Sequence, residues 1–272
     1  MAPIAIDTVF VVRHGERLDH VSKAWQPDPA HGLWDPPLSD KAMQRQGRDQ
    51  ANRTGQYLVR LMHDSNIDFA TARIVIYTSP FQRCLDTALD IAQHFPCRNT
   101  TLRLELGLGE WMSEEFFSDP PSPATRLISR QQEALARKQL ASYKTTSLTM
   151  PQVDYAHPSI ANEFTYPESY TDMVKRLEKT RTHCLQQAKD KEIAIFVTHA
   201  ICCHALLDGF RGKQTRPLEA PYCSVSRITH TKQPDTTTIH TPPPSPPSTN
   251  DNDDDHPWNT DLLFSNIHLE HY

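Results

Sequence analysis

Two histidines and three arginines stand where chemistry could be done. Arg13-His14-Gly15-Glu16-Arg17 follows directly on the apolar run Thr8-Val9-Phe10-Val11-Val12, and His199-Ala200 closely follows Ile193-Ala194-Ile195-Phe196-Val197. A third run, Arg73-Ile74-Val75-Ile76-Tyr77, leads into Thr78-Ser79-Pro80-Phe81-Gln82-Arg83. If the three runs are neighbouring parallel strands, their carboxyl ends bring Arg13, His14, Arg17, Arg83 and His199 into one small volume. Open α/β sheets bind ligands at that edge. Three guanidiniums and two imidazoles make a concentrated cationic site, and helix N-termini after the strands add backbone N–H donors. Guanidinium forks match phosphate oxygens two at a time, so the expected guest is a phosphoryl group. No Walker loop, G-x-G-x-x-G, H-E-x-x-H or G-x-S-x-G occurs, so those chemistries have no support. Cys202-Cys203-His204 offers donor atoms, but adjacent ligands chelate poorly. No metal site and no cofactor is expected.

The elements that must position these residues are legible as alternating strands and helices. The apolar runs are short and rich in β-branched or aromatic residues, as strands covered on both faces are. A fourth candidate strand spans residues 102–106, where apolar and charged residues alternate. Ser39-Asp40 after Pro36-Pro37 reads as a helix start, and Ala51, Gly55, Leu58 and Met62 recur at helical spacing. Residues 80–92 and 169–189 carry further helical patterns. This order predicts a three-layer α/β/α sandwich with a mostly parallel central sheet. Residues 112–168 break the rhythm with two proline clusters and an amphipathic piece at 124–143. They are expected to be an insertion over the active edge of a single domain spanning 1–272.

The chain has 272 residues, 28 Lys+Arg against 33 Asp+Glu, and 22 prolines against 8 glycines. Seven of the prolines fall within 234–257, and Asp251, Asp253, Asp254 and Asp255 follow one another closely in the same stretch. Residues 232–257 are therefore expected to be a disordered Pro/Asp-rich loop, because they cannot bury enough apolar surface to order themselves. Order returns at Trp258. Without those aspartates the formal charge of −5 falls to −1, and a nearly neutral body argues against direct nucleic-acid binding. No apolar run reaches membrane-spanning length, and residues 1–7 lack the basic and apolar segments of a secretory leader. Six scattered cysteines without a C-x-x-C pair fit reduced thiols in a cytoplasmic or nuclear protein.

Val12-Arg13-His14-Gly15-Glu16-Arg17 resembles the signature of the histidine phosphatase (phosphoglycerate mutase-like) superfamily. Three further segments agree in order. They are Gly47-x-x-Gln50-Ala51-x-x-x-Gly55-x-x-Leu58, Ser79-Pro80-x-x-Arg83-Cys84-x-x-Thr87-Ala88 and Val197-Thr198-His199-Ala200. The resemblance implies that His14 attacks phosphorus, that Arg13, Arg83 and His199 hold the phosphoryl oxygens, and that Arg17 and Ala200 contact the substrate. It places the proton donor in Gly107-Leu108-Gly109-Glu110-Trp111, pointing to Glu110, with Glu105 and Glu114 as rival carboxylates. The asparagine that mutases usually carry after R-H-G is missing from Gly15-Glu16-Arg17-Leu18-Asp19. Arg-His-Gly-Glu-Arg with Gly-Glu-Trp is instead similar to the ubiquitin-associated and SH3 domain-containing phosphatases. It is also similar to the phosphatase-like subunit of the fungal RNA polymerase III initiation factor. No SH3-like or ubiquitin-binding region is seen, so the chain reads as a catalytic domain alone. The expected activity is a metal-independent, acid-type phosphomonoesterase working through phosphohistidine, with a protein-tyrosine phosphatase-like activity as one form. Its partner would be a phosphorylated small molecule or phosphoprotein. The alternative is a non-catalytic or weakly active docking subunit of a transcription or signalling complex, with a protein-complex partner.

Overall fold

The computed structural model describes residues 6–27, 34–40, 46–117, 123–144, 150–189, 192–231 and 257–270. Residues 232–256, nearly all of the expected disordered loop, lie outside the described residues. Seven strands form one sheet: β1 (Ile6–Arg13), β2 (Arg73–Thr78), β3 (Thr100–Leu104), β4 (Gln152–Val153), β5 (Glu192–Thr198), β6 (Val225–His230) and β7 (Trp258–Ser265). Their spatial order is β4-β3-β2-β5-β1-β6-β7. The first five in that order are parallel, while β6 and β7 add antiparallel pairs at one side.

Strand periodicity separates the two faces. Val9 and Val11 of β1 and Ala194 and Phe196 of β5 share one apolar cluster with α5 (Tyr170–Gln186) and α6 (Ala200–Arg211), through residues such as Met173, Leu177, Leu206 and Phe210. Phe10, Val12, Ile193 and Ile195 point the other way, into a cluster with Leu58 and Met62 of α2 (Gly47–Asp64) and Leu85, Ala88 and Ile91 of α3 (Gln82–Ala92). Alternate side chains of one strand therefore feed opposite helical layers, which makes the sandwich three-layered. All seven residues of β5 are buried, as its central place requires. Truncating Phe196 to alanine should cost about 3–5 kcal/mol, read from the shift in denaturant midpoint.

Register decides what meets at the carboxyl edge. Arg13 pairs with Thr198 across β1 and β5, and Thr78 pairs with Val197 across β2 and β5. The ladder runs one residue further on each side: His14 N–H donates to Thr198 O at 2.9 Å and Ser79 N–H to Val197 O at 3.0 Å. His14, Ser79 and His199 consequently leave three adjacent strands at one level.

Several elements differ from the sequence reading. The fourth strand lies at Thr100–Leu104, two residues earlier than expected, because Glu105 turns to cap the following 3-10 turn by accepting from Gly107 N–H at 2.9 Å. Ser39 does not begin a described helix. Its hydroxyl instead accepts from Gly47 N–H, at the start of α2, at 2.9 Å. The remaining described helices are α1 (Leu18–Val21) and α4 (Ala124–Lys144). Helix α6 and the antiparallel β6 went unread, since their apolar residues lack a clean one-sided pattern. No described helix is long and apolar enough to cross a membrane.

Candidate active site

His14 is buried and its ring is fixed from both sides. Nδ1 lies 2.7 Å from the Gly15 carbonyl, which only an N–H at that nitrogen can satisfy. That tautomer leaves the lone pair on Nε2, where Arg83 Nε donates at 3.3 Å. Burial, then Arg83, His199 and Arg13, hold the imidazole well below its usual pKa, so it is neutral near pH 7. The loop that carries it is anchored by Gly15 N–H donating to Thr87 Oγ1 at 3.0 Å.

Gly15 and Gly47 permit a close backbone crossing beneath this loop. A Cβ on Gly15 would lie 2.6 Å from Gly47 O, and a Cβ on Gly47 would lie 2.3 Å from Glu16 O. Neither contact can be relieved by turning a side chain. Gly47→Ala should therefore destabilise the fold by about 1–3 kcal/mol, measured as a lowered denaturant midpoint with unchanged slope.

Arg83 is the hub of the site and is 2% exposed. One end of its guanidinium reaches Glu110 Oε2 at 3.2 Å and His199 Nδ1 at 3.1 Å, and NH1 lies 3.8 Å from Asp35 Oδ1. His199 Nδ1 also lies 3.1 Å from Glu110 Oε2, while its Nε2 meets Ser79 Oγ at 3.0 Å. Burial and Arg83 lower His199 to about 4 against the opposing pull of Glu110. Burial pushes the Glu110 carboxyl up, but His199 and Arg83 outweigh it and hold the group below the usual carboxylate range. Glu110 is thus an ionised partner of the cationic cluster.

Arg13 enters from the β1 side. NH1 donates to Ala220 O at 2.5 Å and lies 3.1 Å from Glu219 Oε1, and the guanidinium stacks 4.0 Å from the Tyr222 ring centroid. Its Nε is buried and has no hydrogen-bond partner among the described residues. Arg17, at the N-cap of α1, forks onto both oxygens of Asp19 at 2.9 and 2.6 Å. Ala200 is the first residue of α6, with His199 at the N-cap and no side chain capping that end.

The sequence-selected residues Arg13, His14, Arg83, Glu110 and His199 therefore lie together, with Arg17 and Ala200 at the flanks. The rival carboxylates do not join them. Both oxygens of Glu105 are engaged, Oε1 by Gly107 N–H, Ser159 Oγ and Ile160 N–H, and Oε2 by His157 Nε2 at 2.9 Å. Glu114 is exposed. Sequence reasoning missed Asp35, Ser79 and Tyr222. Ser79 sits inside a motif already singled out, and Asp35 adjoins Pro36-Pro37. Tyr222 has no local signal, because β6 and the loop before it bring it beside His14, ring centroids 5.7 Å apart.

Ligand atoms of His14, Glu110 and His199 lie within 4.8 Å of one another, a spacing that a cation could bridge. Arg83, however, touches all three residues, so a dication there would face a guanidinium in its first shell of contacts. The donor set suits an anion with several oxygens better. The segment after Glu110 packs nearby: Met112 and Leu127 of the 112–168 region meet Phe81, whose ring lies 5.3 Å from that of His199.

Residues 9–239 match the family described as the histidine phosphatase superfamily (branch 1). Over 121 residues the chain is 31% identical to the transcription factor tau 55 kDa subunit of Saccharomyces cerevisiae. That match covers 44% of this chain and only 24% of the yeast subunit, so the likeness spans about a quarter of that relative. The crystal structure of ecdysone phosphate phosphatase from Bombix mori, in complex with tungstate, superposes with a TM-score of 0.56 at 19% identity. It covers 90% of this chain and 96% of that one. At such identity the likeness speaks for the fold.

Proposed function

We propose a reaction for this chain, which belongs to branch 1 of the histidine phosphatase superfamily: metal-independent hydrolysis of a phosphomonoester through a phosphohistidine on His14. The observation that carries it is the tautomer of His14. Gly15 O holds Nδ1–H, and Nε2 turns its lone pair into a cluster of cations. A neutral imidazole held this way is an effective nucleophile.

In the first step Nε2 bonds to phosphorus and the ester P–O bond breaks. Arg13, Arg83 and His199 hold the three non-bridging oxygens, where charge stabilisation matters most. The partnerless Nε of Arg13 and the N–H of Ala200 supply further donors, and Arg17 joins by sharing its fork with Asp19. Glu110, ionised in the free site, takes the proton of a monoanionic ester and passes it to the departing oxygen. In the second step the Glu110 carboxylate takes a proton from water, the water oxygen bonds to phosphorus, the P–N bond breaks and inorganic phosphate leaves. In this reading residues 112–168 roof the site. The Tyr222 ring beside His14 offers a flat wall suited to an aryl ester, which favours a phosphotyrosine-like substrate on a protein or a small aromatic molecule.

The likeness to a transcription-factor subunit supports a second reading, a docking subunit with weak or no turnover. One assay separates them: hydrolysis of 4-nitrophenyl phosphate with and without EDTA. Turnover indifferent to EDTA is expected. Turnover lost to EDTA would overturn metal independence. No turnover by folded protein would favour docking.

A further inference from the structure

The carboxyl of Glu110 sits on a segment that no regular element holds. Residues 107–110 run from a 3-10 turn (Leu106–Leu108) into an irregular stretch, so their carbonyls have no helical partners. Side chains take them instead. Arg176, on α5, donates through NH1 to Gly107 O at 2.7 Å and Gly109 O at 3.1 Å, and through NH2 to Glu110 O at 3.2 Å. Thr198 Oγ1 takes the remaining one, Leu108 O, at 2.6 Å. The other edge of the same guanidinium forks onto Glu168, Nε to Oε1 at 2.7 Å and NH2 to Oε2 at 2.8 Å.

Glu168 extends the grip to the far side of the acid. Its Oε2 accepts from Met112 N–H at 3.2 Å, its own N–H donates to Met112 O at 2.8 Å, and its carbonyl accepts from the Trp111 indole N–H at 2.9 Å. The Glu168 side chain is 2% exposed and that of Arg176 16%, so this pair lies largely out of water. A buried ion pair adds little net stability, whereas this one ties down the backbone on both sides of Glu110. Among the described residues Arg176 makes no hydrogen bond to His14 or Arg83, yet it fixes the backbone on both sides of the Glu110 Cα.

We propose that Arg176 and Glu168 are a positioning pair that sets the Glu110 carboxyl against the leaving-group oxygen. This rests on the reading of Glu110 as proton donor. A guanidinium planar enough to bridge three carbonyls and one carboxylate cannot be matched by an ammonium or an amide. Displacing a catalytic group by about 1 Å can cost a hundredfold in rate.

The test compares single-turnover phosphoryl transfer from glycerol 2-phosphate and from 4-nitrophenyl phosphate in Arg176→Gln, Glu110→Gln and the double variant, with inorganic phosphate affinity measured alongside. Arg176→Gln should lose about tenfold or more on the alkyl ester and much less on the activated aryl ester. Phosphate affinity should hold, and Arg176→Lys should recover part of the loss. In the Glu110→Gln background the Arg176 substitution should add little, because the group it positions is gone. A selective loss in Glu110→Gln with an unselective loss in Arg176→Gln would overturn the positioning role alone. So would an Arg176 effect that persists undiminished in the double variant. An unselective loss in Glu110→Gln would overturn the reading of Glu110 itself. If Arg176→Gln does not fold, the same comparison is read on Arg176→Lys and Glu168→Gln, and equal losses on both esters there overturn the proposal.

Discussion

His14→Ala should abolish turnover, by on the order of 10⁴-fold or more, as removal of an enzymatic nucleophile does. The residue is 2% exposed, so its loss also has a structural side. Arg83 Nε loses its acceptor, and Gly15 O loses the Nδ1–H donor. Arg83 keeps Glu110 and His199. The net change in stability should stay within about 2 kcal/mol. Affinity for inorganic phosphate should survive, since Arg13, Arg83 and His199 remain. Rapid quench of the wild type should trap acid-labile, base-stable phosphate on the protein, absent from the variant. Retained turnover in folded His14→Ala would remove His14 as nucleophile. Lost turnover without trapped phosphate in the wild type would point to direct attack by water.

The parts of this site legible in the sequence are those carried by strand ends. Apolar runs mark β1, β2 and β5, and the polar residue after each run is delivered to the carboxyl edge by parallel pairing alone. Arg13, His14 and His199 needed nothing further, and Arg83 needed only the first turn of α3 beyond β2. Glu110 came from the family resemblance, because an irregular segment after a short strand gives no periodic signal. The groups that escaped notice arrive by long-range packing. Tyr222 reaches His14 from a loop some two hundred residues further along the chain, and Asp35 approaches Arg83 from an irregular segment beside two prolines. Arg176 looks like any solvated helix arginine in a pattern whose inward positions are Met173, Leu177 and Thr180. Only the three-dimensional structure reveals that the carbonyls of another segment lie against it. Glu105 shows the reverse error: a carboxylate close in sequence to the acid is wholly spent on holding residues 107 and 157–160.

Glu110→Gln should slow phosphoryl transfer from an alkyl phosphate by about 10²-fold or more, and from an activated aryl phosphate much less. An alkoxide leaves poorly unless a proton arrives as the P–O bond breaks, whereas an activated phenolate leaves without one. The amide keeps the size of the carboxyl and removes the proton. The pH profile carries the same logic. Glu110 is ionised in the cationic cluster, its pKa held down by His199 and Arg83 against the upward push of burial. The proton must therefore enter with the substrate: a monoanionic ester beside a carboxylate is equivalent to a dianion beside a carboxylic acid. Phosphate monoesters lose that proton near pH 6, so kcat/KM on the alkyl ester should fall about tenfold per pH unit above it. On the acid side His14 stays neutral well below its ordinary range, through burial and then Arg83, His199 and Arg13, so the optimum should be acidic. The aryl ester should show a shallower alkaline fall. Single-turnover rates are the clean measure, because in the proposed mechanism the same carboxylate later activates water and steady-state rates merge the two steps. Equal losses on both esters would make Glu110 a counterion of Arg83 and His199, with the proton delivered from elsewhere.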